Sequence, residues 1–188
     1  MIRFAPGLRA TVALVLSAAR IPAAPPQQNP AVTHAALAAV ETKLDNTIRS
    51  LDVNEPYDLL GMTRGIYLPG FGAVFTAELN LVFMTISPFV PALTPADIQK
   101  LHAKKLARVA TLKRHMRDMM VNAAVALKGV PPEEQIVLGI SLFYRRFEIK
   151  DGLPNQVIMQ APRKALLDFE AGRIDAATLD SLIRTQEL

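Results

Sequence analysis

The stretch from Thr94 to Lys128 constrains this chain's fold more than any other. Thr94-Pro95-Ala96-Asp97 combines an N-cap, a proline in the first turn and an acid in the capping-box position. Gly129, Pro131 and Pro132 stop what starts there. In between, Ile98, Leu101, Val109, Leu112, Met116, Met119, Met120, Ala123 and Leu127 fall on one stripe of a helix. Roughly 33 residues of helix span about 50 Å, more than one compact domain. A kink, a break, or an overhang that meets another chain is expected.

Ahead of that helix, Ala73, Phe75, Ala77, Leu79, Leu81 and Phe83 alternate with Val74, Thr76, Glu78, Asn80 and Val82, the period of a half-buried strand. Pro69-Gly70 suits the two central positions of a type II turn, which makes residues 63–68 the partner strand of a hairpin. After the helix, residues 135–149 read as a long strand, with Gly139 a bulge or close-packing site. Asp151-Gly152 turns the chain and residues 156–160 return. This second hairpin holds Arg145 and Glu148, either of which could meet Glu78 across strands.

Apolar residues at three- and four-residue steps make 31–52 an amphipathic helix, capped by Asn29-Pro30. Two short helices close the chain, one between Pro162 and Gly172 and one capped by Asp175, with Ile174 and Leu179 placed as a hydrophobic staple. The expected fold class is α+β: an antiparallel sheet of about four strands in two hairpins, an N-terminal helix, a long central helix and two short C-terminal helices. This element order is similar to that of the roadblock/profilin-like sandwiches, a likeness of topology that implies no function.

The N-terminus reads as an address. Arg3 and Arg9 precede an apolar run of ten, Ala10 to Ala19, and Ser17 and Ala19 fit the small-x-small rule for cleavage after Ala19. Arg20 and Pro22 cut the run at half the roughly 20 residues a membrane span needs. The expected organisation is a signal peptide over 1–24, a Pro-rich tether over 25–30 and one domain over 31–188.

Chemical motifs are scarce. The chain has no cysteine, which excludes disulfides, thiolate metal sites and cysteine nucleophiles. Gly70-Phe71-Gly72 begins like a dinucleotide fingerprint, but Phe75 stands where the third glycine belongs. Gly139-Ile140-Ser141 lacks the glycine of a nucleophile elbow, since Phe143 occupies that position. His102 and His115, about 20 Å apart on one helix, cannot share a metal ion, and His34 could approach either only through tertiary packing. No metal and no cofactor is therefore expected.

The remaining asymmetry is charge. Residues 94–128 hold eight basic side chains against Asp97 and Asp118, while the chain as a whole has 21 against 17. Lys100, Lys104, Lys105, Arg108, Arg114 and Arg117 are the candidate surface for an anionic envelope component or an acidic protein. Phe89 and Val90, in the apolar loop 84–93, are the candidate apolar contact. No aromatic residue is interleaved with the cations, which argues against nucleic acid. The leading expectation is an exported bacterial envelope protein that is not an enzyme and acts by protein or surface association, with peripheral membrane contact and homo-oligomerisation both compatible. The alternative is an exported hydrolase with a site assembled from Arg64, Tyr67, Glu78 and Arg145.

Overall fold

Thr33 adopts an extended conformation and its hydroxyl accepts from the Ala36 amide at 3.2 Å, so the first helix, α1, runs over His34–Ser50. The expected start at residue 31 is thereby corrected. The computed structural model describes residues 32–52, 54–84 and 93–188. The signal peptide, the tether, the Asn29-Pro30 cap, Phe89 and Val90 all lie outside the described residues.

Six strands follow in one mixed sheet: β1 (Asp58–Leu59), β2 (Arg64–Leu68), β3 (Gly72–Asn80), β4 (Gln135–Leu142), β5 (Gln156–Pro162) and β6 (Arg184–Glu187). The order is β1-β3-β4-β5-β6, and β2 also pairs with β3, alongside its first half. The β2–β3 hairpin turns as expected. Gly70 has φ +82° and the Phe71 amide donates to the Leu68 carbonyl at 3.0 Å.

The expectation of an all-antiparallel sheet of about four strands is corrected. β3 and β4 lie side by side and parallel, from Gly72↔Gln135 to Leu79↔Leu142. The cause is the long helix α2 (Pro95–Ala126), one 32-residue element that carries the chain from the end of β3 back to the start of β4. Buried between β3 and β5, β4 shows the near-continuous apolar run of a central strand. It ends at Leu142 instead of residue 149, because the Leu142 amide closes on the Asn155 carbonyl and the chain leaves the sheet. β1 and β6 carry no hydrophobic alternation and were not anticipated.

One face of the sheet is the core. Ala73, Phe75, Ala77 and Leu79 of β3 line up with Ile136, Leu138, Ile140 and Leu142 of β4, which in turn face Ala161, Met159 and Val157 of β5. α1 packs beside β1 and β2, and α2 beside β4 and β5. α3 (Arg163–Glu170) joins α2 and β5, while α4 (Ala176–Leu182) packs on α3. α1 also guards the outer edge of β2: its Glu41 accepts from the Gly65 amide (2.7 Å) and its Asp45 from the Thr63 amide (2.8 Å) and hydroxyl (2.6 Å). Four helical residues rise about 6 Å and two strand residues about 6.7 Å, so two carboxylates on one helix face cap alternate outward amides of an edge strand.

The helix is unbroken, and its overhang is covered by its own chain. Two loop segments lie against its N-terminal half, residues 54–57 with Asp52 and residues 143–155. At its other end, the α2 carbonyls of the last turn find a donor from elsewhere. The buried Arg163 gives Nε to the Ala124 carbonyl and Nη1 to that of Val130, each at 2.9 Å.

Candidate functional site

Helical periodicity sets the cations of α2 around its circumference, and the fold spends most of them internally. Lys105 is fully buried and pairs with Glu148 of the 143–155 loop, while its ammonium lies 5.0 Å from the Tyr144 ring centroid. Arg108 is 8% exposed. It stacks 4.1 Å from the Tyr57 ring centroid and donates to the Glu55 carbonyl at 2.7 Å. Asp52 and Glu55 sit 3.8 and 3.7 Å from its guanidinium. Lys104 pairs with Glu55 (2.6 Å), Lys113 with Glu187 (2.6 Å), and Arg117 with Asp180 (3.1 Å). These carboxylates come from the acidic remainder of the chain, so the charge imbalance of α2 is answered within the molecule.

Of the six cations expected to bind an anion, Lys100 and Arg114 are exposed and have no carboxylate partner among the described residues. Fourteen helical residues put them about 21 Å apart, more than twice the roughly 8 Å screening length at physiological salt. They do not act as one patch.

The residues of the expected hydrolytic site do not converge. Arg64 and Glu78 project from the face of the sheet opposite the helices, whereas Tyr67 lies on the helix side of β2. Arg145 is outside the hairpin altogether, in the 143–155 loop, where its Nη2 donates to the Met84 carbonyl at 3.3 Å. No ion pair joins Glu78 to Arg145 or any other residue among those described. Two cavities beside α2 among the described residues are small: about 190 Å³ around Arg114, Arg117 and Ile183, and about 220 Å³ around Glu55, Phe83 and Lys104. Both fall below the ~300 Å³ at which small-molecule sites begin. Among the described residues no three metal-ligating side chains gather. His102 binds the Asp151 carbonyl (2.7 Å), and His115 packs edge-on to Tyr57 with burial pushing its pKa down.

No protein-family model matches the chain, and no curated protein or solved structure matches it either. The likeness to roadblock/profilin-like sandwiches therefore rests on element order alone.

The surface that stands out is the sheet's second face. Ile66, Leu68, Val74, Val137 and Ile158 lie on it with Thr76, Ser141, Gln156, Gln160 and Gln186. Its exposed aliphatics are Ile66 and Leu68 at the β2 edge, while Val74 and Ile158 are half-buried and Val137 is buried. Its charges are Arg64, Glu78 and, at the two edges, Asp58 and Arg184. A sheet face left to water ordinarily alternates to polar and charged side chains, and this one sets five aliphatic side chains among five uncharged polar ones. The alternation of β3 by itself marks its outward positions only as the wet side of a half-buried strand. The signal lay in their β-branched composition once they were aligned with β2, β4 and β5.

Near the other end of the molecule, burial and then the charge of Glu148 push the Tyr144 hydroxyl up to about 12. The hydroxyl donates to the Pro154 carbonyl at 2.6 Å. An unfolded tyrosine ionises near pH 10, so from about pH 10 to 12 the native state holds the extra proton and stability falls with rising pH. The full gap corresponds to about 2.7 kcal/mol, and partial solvent access brings the expected loss to about 1–2 kcal/mol. Urea denaturation at pH 9 and pH 11.5 should show this loss in the native chain and a flatter profile in Tyr144→Phe. Equal pH slopes in the two would contradict it.

Proposed function

We propose that the protein is exported and works by association, with the open face of the sheet as its contact surface. The observation that carries this reading is that face: five strands wide, with Ile66 and Leu68 exposed on it and Val74 and Ile158 half-buried beside them. Further support comes from the dispersal of Arg64, Tyr67, Glu78 and Arg145, and from the internal pairing of the α2 cations. Export is supported by the sequence alone, through the pattern of Arg3, Arg9, the run Ala10–Ala19 and the small residues at 17 and 19. No helix among the described residues is long and apolar enough to cross a membrane.

Chemical cross-linking in the host's envelope fraction, with intact-mass analysis of the recovered chain, tests both parts. The recovered chain should begin at Arg20, and its cross-linked species should vanish with Ile158→Glu while surviving Lys100→Glu and Arg114→Glu. A chain that retains Met1, recovered with the cytosol, would refute export. Loss of the species with the helix variants instead of the face variant would move the contact surface to α2.

A further inference from the structure

The open face carries three features that bear on what covers it. It is aliphatic at Ile66, Val74, Val137 and Ile158, as one layer of a two-layer core would be. Arg64 and Glu78 are of opposite sign on neighbouring strands, and neither has an ion-pair partner among the described residues. The third feature is Gly139, in the middle of the central strand and aligned with Thr76 on one side and Ile158 on the other. Glycine weakens a strand interior, and it usually marks a bulge or a close backbone approach. Here the ladder is unbroken and φ is not positive, and a Cβ would meet nothing nearer than 3.9 Å. Nothing among the described residues requires glycine there, and its absent side chain leaves a dent at the centre of the face.

We infer that the open face is covered by a second copy of this chain, packed face to face about a twofold axis through the dent. This rests on the association reading above and names its partner. A twofold interface must be self-complementary, and the opposite charges of Arg64 and Glu78 meet that condition, with Asp58 and Arg184 left at the two edges of the face. Laying the face out from its register, with strands ~4.8 Å apart and ~3.3 Å per residue, gives the axis that exchanges Arg64 with Glu78 of the second copy. The same axis sets Val137 against Ile158 and passes close to Thr76 and Gly139. The strands of the two copies then cross steeply, in the orthogonal class of sheet packing. The face measures about 24 by 26 Å on those spacings. That is near the small end of stable interfaces, so dissociation in the micromolar range is expected.

The test is sedimentation equilibrium of the full chain from about 1 to about 100 µM. A concentration-dependent dimer is expected. Arg64→Glu and Glu78→Arg should each weaken it about tenfold or more, because each sets like charges in contact. Combining the two exchanges the charges and should restore wild-type dissociation to within about threefold. Because the chain has no cysteine, Thr76→Cys should form a disulfide-linked dimer on mild oxidation. Ala110→Cys, exposed on α2, should stay monomeric. A chain monomeric throughout, a double variant without rescue, or no preference of Thr76→Cys over Ala110→Cys would each overturn the second copy as partner. If the chain is monomeric while Ile158→Glu still abolishes an envelope contact, only the identity of the partner falls. If that contact also survives, the association reading falls with it.

Discussion

Replacing Glu148 with alanine is expected to destabilise the chain by about 3–5 kcal/mol, the cost of leaving a buried charge without its partner. Lys105 has no exposed surface, and the Glu148 side chain is 2% exposed. Burial pulls the Lys105 pKa down, and the hydrogen bond and charge of Glu148 pull against it. Without Glu148 only the downward pull remains. The unfolded chain then binds more protons than the native one below the usual lysine pKa, so the stability of Glu148→Ala should recover as pH rises from 7 towards 10. Lys105→Ala should cost a similar amount, because it leaves the buried Glu148 carboxylate without its partner. The double variant Lys105→Met with Glu148→Leu removes both charges and keeps the volume. It should lie within about 2 kcal/mol of wild type, although the Arg145 amide loses its acceptor Glu148 Oε1. Urea denaturation across pH measures all of these. If both single variants stay within about 1 kcal/mol of wild type, the pair does not anchor the 143–155 loop to α2.

That pair also marks where sequence reasoning reaches its limit. Periodicity set Lys105 at the margin of the apolar stripe, which a snorkelling surface lysine satisfies as well as a buried one. Its partner is 43 residues away in a run whose aromatic and β-branched content reads as strand. Nothing local says that the chain leaves the sheet at Leu142 so that Glu148 can reach inward. Local chemistry was legible where it acts within a few residues. The Thr94–Asp97 capping box, the Pro69-Gly70 turn, the β3 alternation and the Asp175 cap all stand where the residues put them. Long-range pairing was not. Two hairpins linked by a helix are as consistent with an antiparallel arrangement as with the parallel β3–β4 ladder found. Arg163 gave no warning either, because its acceptors are backbone carbonyls that no side-chain pattern reveals.

The candidate site follows the same division. α2 was the most asymmetric charge feature in the chain, and the asymmetry was real. Its meaning depended on where Asp52, Glu55, Glu148, Asp180 and Glu187 would come to lie, and all five reach the helix from other elements. A charged helix can therefore be the electrostatic spine of a fold, and the neutral sheet face becomes the surface of interest.

The parallel ladder has its own point of failure at Gly72, where alanine is expected to cost about 3–5 kcal/mol. Gly72 has φ +135°, and a Cβ there would overlap the Gln135 carbonyl oxygen and come within 2.5 Å of the Gln135 nitrogen. Both are backbone atoms of the neighbouring strand, so no rotamer change relieves the contact. β4 must move, at the position where it first joins β3 and where the Gln135 amide donates to the Phe71 carbonyl at 2.7 Å. Gly70, two residues earlier in the same turn, separates backbone strain from this contact. It too has positive φ (+82°), yet a Cβ there would meet nothing within 4 Å, so Gly70→Ala should cost only the left-handed penalty of about 1–2 kcal/mol. The excess of Gly72→Ala over Gly70→Ala, read from urea midpoints at constant m, measures how closely the two strands approach. An excess near zero would mean that the parallel pairing tolerates a side chain between its first residues. It would then begin further along, beyond Ala73↔Ile136.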